Sequence, residues 1–186
     1  WAKSIAVGPG LSMNVAAAEI TRCVLETDDK VRILDADALN IIAGEHIDYK
    51  GSREGQIIIT PHIMEMSRLT GKTVADIKEH MIESAKEYAI QHSCICILKD
   101  ARTVVTDGQK VYINCTGNDG MSTGGCGDVL TGLIAGMTAM GLDAFEAACL
   151  SVYVHGKAGD YAASGKGRAG MTAADVSEAI AYVLKR

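Results

Sequence analysis

Glycines and an acidic residue stand directly before an apolar helical pattern in the stretch STGGCGDVLTG, residues 122–132. Glycines let backbone N–H groups converge on an anion, and the helix that follows adds free N–H groups and the positive end of its dipole. The stretch is not a Walker A loop, because no Lys-Ser or Lys-Thr pair follows the last glycine, and Leu130 breaks the G-x-G-x-x-G spacing. A flexible turn is the alternative, but it would need no acidic residue. The pattern favours an anion site with Asp128 in the first helical turn.

Polar residues also gather where each of the first four predicted strands ends. They are Gly8-Pro9-Gly10, Asp35, Asp37, Asn40, Thr60-Pro61-His62, Glu65 and Lys99-Asp100. In open α/β sheets ligands bind at the carboxyl ends of the strands, so these residues are expected to surround one site. Structural alternatives exist: the glycines could form only a tight turn, the acidic residues could cap a helix, and His62 could be a structural histidine. The remaining histidines form no HExxH pattern, which argues against a zinc site.

The elements that must position these residues alternate along the chain. The predicted strands cover residues 4–8, 31–37, 55–61 and 94–100, and Asp107-Gly108 between two alternating runs predicts a β-hairpin. The predicted helices cover 12–26 with Ser12 as N-cap, 38–44, 73–92, 126–140, 144–163 and 172–185, the last opened by a capping box of Thr172 and Asp175. This order predicts one α/β domain, residues 1–186, with a largely parallel sheet.

Composition and charge restrict the classes of partner. The 186-residue chain has a formal net charge of −5 and a pI near 5.5, which argues against binding to nucleic acid or to an anionic membrane. No apolar run is long enough to span a membrane. The cysteines, at positions 23, 94, 96, 115, 126 and 149, form no CxxC pair, and we interpret them as buried thiols of a reducing compartment. The sequence therefore predicts a cytoplasmic protein.

Five segments follow one another in an order that resembles a known family. They read VGPGLS, LDADALN, ITPHIMEMSRLTG, INCTGNDGMSTGGCGDVLTGLIAGM and AACLSVYVHGKAGD, and they cover almost the whole chain. Together they resemble the ADP/ATP-dependent NAD(P)H-hydrate dehydratases of the ribokinase-like superfamily, which implies a three-layer αβα fold. The resemblance implies dehydration of the (6S) hydrates of NADH and NADPH, called NADHX and NADPHX. The co-substrate would be ADP in bacteria or ATP in eukaryotes, usually with Mg²⁺, and the nucleotide would phosphorylate the misplaced hydroxyl before phosphate leaves.

The resemblance also assigns roles to residues. Gly10, His62 and Asp128 match positions that contact the hydrated nucleotide, and Asp128 matches the presumed catalytic carboxylate. The adenine nucleotide is expected at Lys99, Asp100, Ala101, Arg102, Thr103, Asn114, Thr116, Asn118, Gly124, Gly125 and Gly127. Asp35, Asn40 and Glu65 are expected on the side of the phosphates and Mg²⁺, with Asp35 and Glu65 as metal ligands.

The chain departs from the family pattern at several positions. Ile63-Met64 replaces the usual Pro-Gly after His62, Asp100 replaces a glycine after Lys99, and Cys126 replaces a serine or threonine. The family also has a βα region before the GPG motif. We therefore expect a domain truncated at its N-terminus, or one that a separate chain completes. The resemblance further implies a homotetramer.

Two other functions stay open at the level of sequence. If the TPH and LDADALN segments are generic, the chain could be a ribokinase-like kinase that phosphorylates a hydroxymethylpyrimidine or a hydroxyethylthiazole. If the missing front removes activity, the chain would be an inactive nucleotide-binding fragment.

Overall fold

The structure, a computed structural model, describes residues 2–51 and 57–185. The strands are β1 (Ser4–Val7), β2 (Val31–Leu34), β3 (Ile57–Ile59), β4 (Ile95–Leu98), β5 (Val104–Thr106) and β6 (Val111–Ile113). The helices are α1 (Val15–Leu25), α2 (Ala36–Gly44), α3 (Ile63–Thr70), α4 (Val74–Glu79), α5 (Met81–His92), α6 (Cys126–Ala139), α7 (Ala144–Lys166) and α8 (Ala173–Val183). A 3₁₀ turn covers Asp119–Met121.

The strands form one sheet whose spatial order, β1-β2-β3-β4-β5-β6, is the order of the chain. Strands β1 to β4 are parallel, and β5 and β6 add an antiparallel hairpin next to β4. This confirms the α/β fold with a mostly parallel sheet. Because β1 to β4 are parallel, the loops that follow them leave the sheet at one edge.

Two apolar layers cover the sheet, one on each face. Leu34 and Leu98 pack with α2 to α5 on one face, whereas Ile33 and Ile97 pack with α6 and α7 on the other. Each of these side chains is fully buried, which stabilises the fold by about 1.5–3 kcal/mol per residue. Helix α8 packs on α6 and α7. The continuous apolar strands of the sequence are explained by this burial on both faces.

Helix α1 begins later than predicted. Its N-cap is Asn14, whose side chain accepts a hydrogen bond from the Ala17 N–H at 2.9 Å, so the prediction of Ser12 as cap is wrong. Ser12 instead has a φ of 70°, and its N–H donates to the Asp37 carboxylate at 2.8 Å. An acidic residue of the second loop thus holds the first loop in place.

The predicted helix over 73–92 is two helices. The chain breaks at His80, where φ is −127° and ψ is 49°, and this residue separates α4 from α5. The helical spacing of the apolar residues continues through the break, and for this reason the sequence pattern predicts a single helix. Helix α3 was not predicted, because it has only eight residues and the preceding Thr60-Pro61 resembles a strand end.

The strand boundaries are shorter than predicted. β2 ends at Leu34, because Asp35 caps the next helix, and the predicted residues 55 and 56 of the third strand lie outside the described residues. Ala6 of β1 is exposed, and β1 is the first strand in the sheet order.

Other predictions are confirmed. Gly108, with φ at 95°, lies in the turn between β5 and β6, and Thr172 and Asp175 form the capping box of α8. All six cysteines are free thiols: Cys94 and Cys96 are buried in the same layer, as predicted, but Cys23 and Cys115 are exposed, so the prediction of buried thiols is wrong for these two. Within residues 2–51 and 57–185, no helix has the length and apolar character needed to cross a membrane.

Candidate active site

A cavity of about 610 Å³ opens beyond the end of β4, within the range of small-molecule sites. His62 lines it together with most of the predicted nucleotide-binding residues, which are Lys99, Asp100, Ala101, Arg102, Thr103, Asn114, Thr116, Asn118 and Gly127. Gly124, Gly125 and Asp128 lie beside this lining at the start of α6. Gly10 does not line the cavity; it lies in the loop after β1, at the same edge of the sheet.

Lys99 and Asp35 form an ion pair between the ends of β4 and β2. The Lys99 ammonium donates to Asp35 Oδ1 at 2.9 Å, and the Thr131 hydroxyl of α6 donates to Asp35 Oδ2 at 2.7 Å. Asp35 also caps α2 by accepting the Ala36 N–H at 2.9 Å. Burial by itself would raise the pKa of Asp35, but the charge of Lys99 and the hydrogen bonds from Lys99, Thr131 and Thr60 hold the pKa below its usual value. The carboxylate is therefore ionised, and it holds the ammonium.

His62 and Glu65 form the capping box of α3. His62 Nδ1 accepts hydrogen bonds from the N–H groups of Met64 and Glu65, both at 3.1 Å, and the Glu65 carboxylate accepts the His62 N–H at 2.8 Å. Because Nδ1 is an acceptor, the neutral ring carries its proton on Nε2, which lies 3.3 Å from Glu65 Oε1. Burial raises the pKa of Glu65. The capping box forms with Ile63-Met64 between its two residues.

The glycine stretch leads into α6 as predicted. Gly125, at the N-cap, has a φ of 90°, and no side chain of the described residues caps this end of the helix. The Cys126 N–H donates to the Thr123 carbonyl at 3.4 Å, so the N–H groups that follow it are the ones left for an anion, and the helix dipole adds positive potential there. Asp128 is exposed in the first turn, and Cys126, buried behind it, has a pKa raised by burial. Cys126 is thus a poor nucleophile.

The turn after β4 exposes backbone and side chains to the cavity. The Asp100 carbonyl accepts the Thr103 hydroxyl at 3.2 Å, and the Ala101 carbonyl accepts the Arg102 guanidinium at 3.1 Å. The side chain of Asp100 is exposed.

The polar side chains of the loop 114–121 mainly shape the loop itself. The Asn114 amide donates to the Thr116 carbonyl at 3.0 Å and accepts the Thr116 hydroxyl at 2.9 Å. Asn118 caps the 3₁₀ turn and donates to Asp160 of α7 at 3.1 Å. Asn114 and Asn118 therefore form the wall of the cavity through the backbone that they hold in place.

Asp35 and Glu65, the predicted Mg²⁺ ligands, are both engaged by other groups of the protein. Asp35 is engaged by Lys99, Thr131 and a helix N-terminus, and Glu65 is engaged by His62. No group of three or more His, Cys, Asp or Glu that could hold a metal occurs in the described ranges 2–51 and 57–185. Asn40, the third residue expected there, accepts the Arg68 guanidinium at 2.7 Å.

Helix α7 supplies residues that the sequence analysis did not assign. His155 lines the cavity, and its buried Nε2 has no hydrogen-bond partner among the described residues. Burial, aided by the charge of Lys99 and opposed by the Cys126 carbonyl, lowers the pKa of His155 to about 4, so the ring is neutral near pH 7. Gly156 and Asp160 hold the loop 114–118. The glycines at 156 and 159, within the HGKAGD segment, are the feature of the sequence that could have indicated this role of α7.

The fold and the cavity define an α/β protein of the ribokinase-like class, with a nucleotide-sized site at the carboxyl ends of its strands. The model of the NAD(P)H-hydrate dehydratase family matches residues 1–182, and the chain belongs to this family.

Relatives and solved structures agree with this assignment. The bifunctional NAD(P)H-hydrate repair enzyme of Moorella thermoacetica is 45% identical over 97% of this chain and 34% of its own length. The ADP-dependent (S)-NAD(P)H-hydrate dehydratase of Neisseria meningitidis is 35% identical over 97% of this chain and 62% of its own. The ADP/ATP-dependent NAD(P)H-hydrate dehydratase of Bacillus subtilis, co-crystallised with ATP and Mg²⁺, superposes with a TM-score of 0.86 at 32% identity, over 97% of this chain and 63% of that one. The chain thus spans about a third of the Moorella enzyme's length and less than two thirds of the Neisseria enzyme's length.

Proposed function

We propose that the protein uses ADP to dehydrate (6S)-NADHX and (6S)-NADPHX, and that it releases NADH or NADPH together with AMP and phosphate. The observation that carries the proposal is the arrangement at the start of α6. There the Lys99 ammonium, held by Asp35 at 2.9 Å, lies beside the uncapped helix N-terminus whose first turn contains Asp128. A cation, free backbone amides and a carboxylate are the groups that phosphoryl transfer to a hydroxyl needs.

The adenine nucleotide would occupy the cavity. Lys99 and the turn to Thr103 would line it on one side, and Thr116 and the loop around it on the other. The N–H groups of Gly124, Gly125 and Gly127 would bind the phosphates. Mg²⁺ would bind with the nucleotide phosphates, as it usually does in proteins together with water and one or two carboxylates.

The hydrated nucleotide would bind beside the cavity, between Gly10, His62 and Asp128. Asp128 would accept the proton of the misplaced hydroxyl, whose oxygen then attacks the terminal phosphoryl group of ADP and displaces AMP. Phosphate would next leave the ring carbon while the neighbouring carbon loses a proton, which restores the ring double bond. His62 would contact this substrate through its ring.

ADP is proposed over ATP because the Neisseria relative is named for ADP, whereas the Bacillus relative is named for both.

The domain organisation, the oligomeric state and the location are proposed from the family resemblance. We propose one catalytic domain, a homotetramer and a cytoplasmic location, the last in keeping with six free thiols.

The test follows the absorbance of reduced nicotinamide when purified protein is mixed with NADPHX and ADP or ATP. We expect regeneration of NADPH with stoichiometric release of phosphate and AMP. A stable phosphorylated alcohol from a pyrimidine or thiazole substrate, without NADPH regeneration, would support the kinase alternative. Nucleotide binding with neither reaction would identify the inactive fragment.

A further inference from the structure

We propose that Asp35, oriented by Thr131, is a positioning residue that keeps the Lys99 ammonium beside the start of α6 to meet the nucleotide phosphates. The inference rests on the proposed function, because it assigns the phosphates to this end of the cavity. It gives Asp35 a role other than metal binding.

The backbone at both ends of the ion pair is fixed by the sheet. The Lys99 N–H donates to the Pro61 carbonyl at 2.8 Å, which extends the pairing of β3 and β4 beyond the strands. The Asp35 N–H donates to the Val7 carbonyl at 3.1 Å. A Cβ at Gly8 would lie 1.7 Å from the Asp35 carbonyl oxygen, so only glycine allows β1 to approach this closely.

The orientation of the carboxylate is fixed as well. Oδ1 accepts the Ala36 N–H at 2.9 Å and Oδ2 accepts the Thr131 hydroxyl at 2.7 Å, which directs Oδ1 to the ammonium. Ala36 adopts a φ of 47°, which is strained for a residue with a Cβ. A lysine side chain has many rotamers, and this arrangement selects one before the nucleotide binds.

The position selected for the Lys99 ammonium is next to the anion site at the start of α6. A Cβ built on Gly127 would lie 3.5 Å from Lys99 Nζ and 3.8 Å from Asp35 Oδ2. An anion held by the first amides of α6 would therefore meet the ammonium too. Thr131, one turn further along α6, donates to the same carboxylate, so Asp35 contacts both the cation and the helix that carries the amides.

A double-mutant cycle tests the inference in the intact protein. Asp35→Asn keeps the size and the capping oxygen but removes the charge; we expect kcat/KM for ADP to fall, and Kd for ADP to rise, by at least about tenfold. In a Lys99→Met background the same substitution should change both by less than about twofold, because Asp35 would act only through Lys99. Equal losses in the two backgrounds, or no loss in either, would overturn the inference.

Thr131 provides a second, milder test. Thr131→Val removes the hydroxyl at nearly constant volume and should weaken ADP binding. The matched variant Thr131→Ser keeps the hydroxyl and should bind ADP as the wild type does. Thermal unfolding of every variant separates this effect from loss of the fold. The wild type could bind ADP, and Asp35→Asn could raise the Kd only when Lys99 is present, without any regeneration of NADPH. In that case the proposed function fails and the inference about Asp35 stands. A wild type that does not bind ADP would overturn both.

Discussion

Gly156 and Thr116 lie so close together that a Cβ at position 156 would be 2.1 Å from the Thr116 hydroxyl oxygen and 2.7 Å from its carbonyl carbon. The contact joins α7 to the loop that forms one wall of the cavity. Asp160, one turn further along α7, accepts the Gly117 N–H at 3.1 Å. The loop thus takes its position from the helix.

Gly156→Ala should therefore destabilise the protein and displace the loop. The methyl group meets backbone as well as the hydroxyl, so we expect a loss of about 1–3 kcal/mol in the free energy of unfolding, measured with urea. Gly165→Ala on the same helix is the control, because a Cβ there meets no atom within 4 Å. Equal stability of the two variants would contradict the close contact.

Gly127→Ala should impair nucleotide binding without harming the fold. A methyl group fits, because its nearest neighbours are 3.5 Å away, but it stands beside the Lys99 ammonium where a phosphate would approach. We expect the Kd for ADP, by calorimetry, to rise at least about tenfold. Gly132→Ala, further along α6 with open space around it, should leave the Kd unchanged. Tight ADP binding by Gly127→Ala would argue against phosphates at this end of the cavity.

Asp128→Asn should abolish most of the turnover. Removal of a general base typically costs at least about 10²-fold in kcat, and this exposed side chain should not affect the fold. The measurement is NADPH regeneration at saturating ADP. Glu83→Gln, at an exposed acidic residue in the first turn of α5, is the control and should keep full activity. Wild-type turnover in Asp128→Asn would remove Asp128 from the mechanism.

His155 should make the protein sensitive to acid. In the folded state its pKa is lowered to about 4, whereas the unfolded chain takes up this proton near the ordinary value of 6.5. As the pH falls through this window, only the unfolded state gains the proton, so the free energy of unfolding decreases. The decrease should be about 2 kcal/mol between about pH 7 and about pH 5. It should be absent in His155→Gln, as followed by urea unfolding; equal losses would contradict the burial of a neutral ring.

The position of the site could be predicted from the sequence, whereas the hydrogen bonds within the site could not. Strand periodicity and the rule that ligands bind at strand ends bring Asp35, His62 and Lys99 to one edge of the sheet. The bond from Lys99 to Asp35 joins residues 64 positions apart, and that from Thr131 joins residues 96 apart. Such contacts depend on how the layers pack, which no local pattern encodes.

The other differences between prediction and structure arise where a residue type or a pattern is compatible with more than one role. Asn114 and Asn118 have the types expected of ligand-binding residues, yet their loop uses most of their hydrogen-bonding capacity. His62 was selected as a substrate contact, and it also proves to be a helix cap, a role that histidine seldom fills. The break at His80 leaves the apolar period intact, so it is visible only in the backbone angles.

The sheet order has a consequence for folding during synthesis. Since each strand pairs with the one made before it, the sheet can grow as the chain emerges. The face that carries Ile33 and Ile97, however, packs against α6 and α7, which follow all six strands in the chain. Until then, the partly made protein presents a broad apolar surface to the cell, and this is the stage at which a chaperone would be most useful.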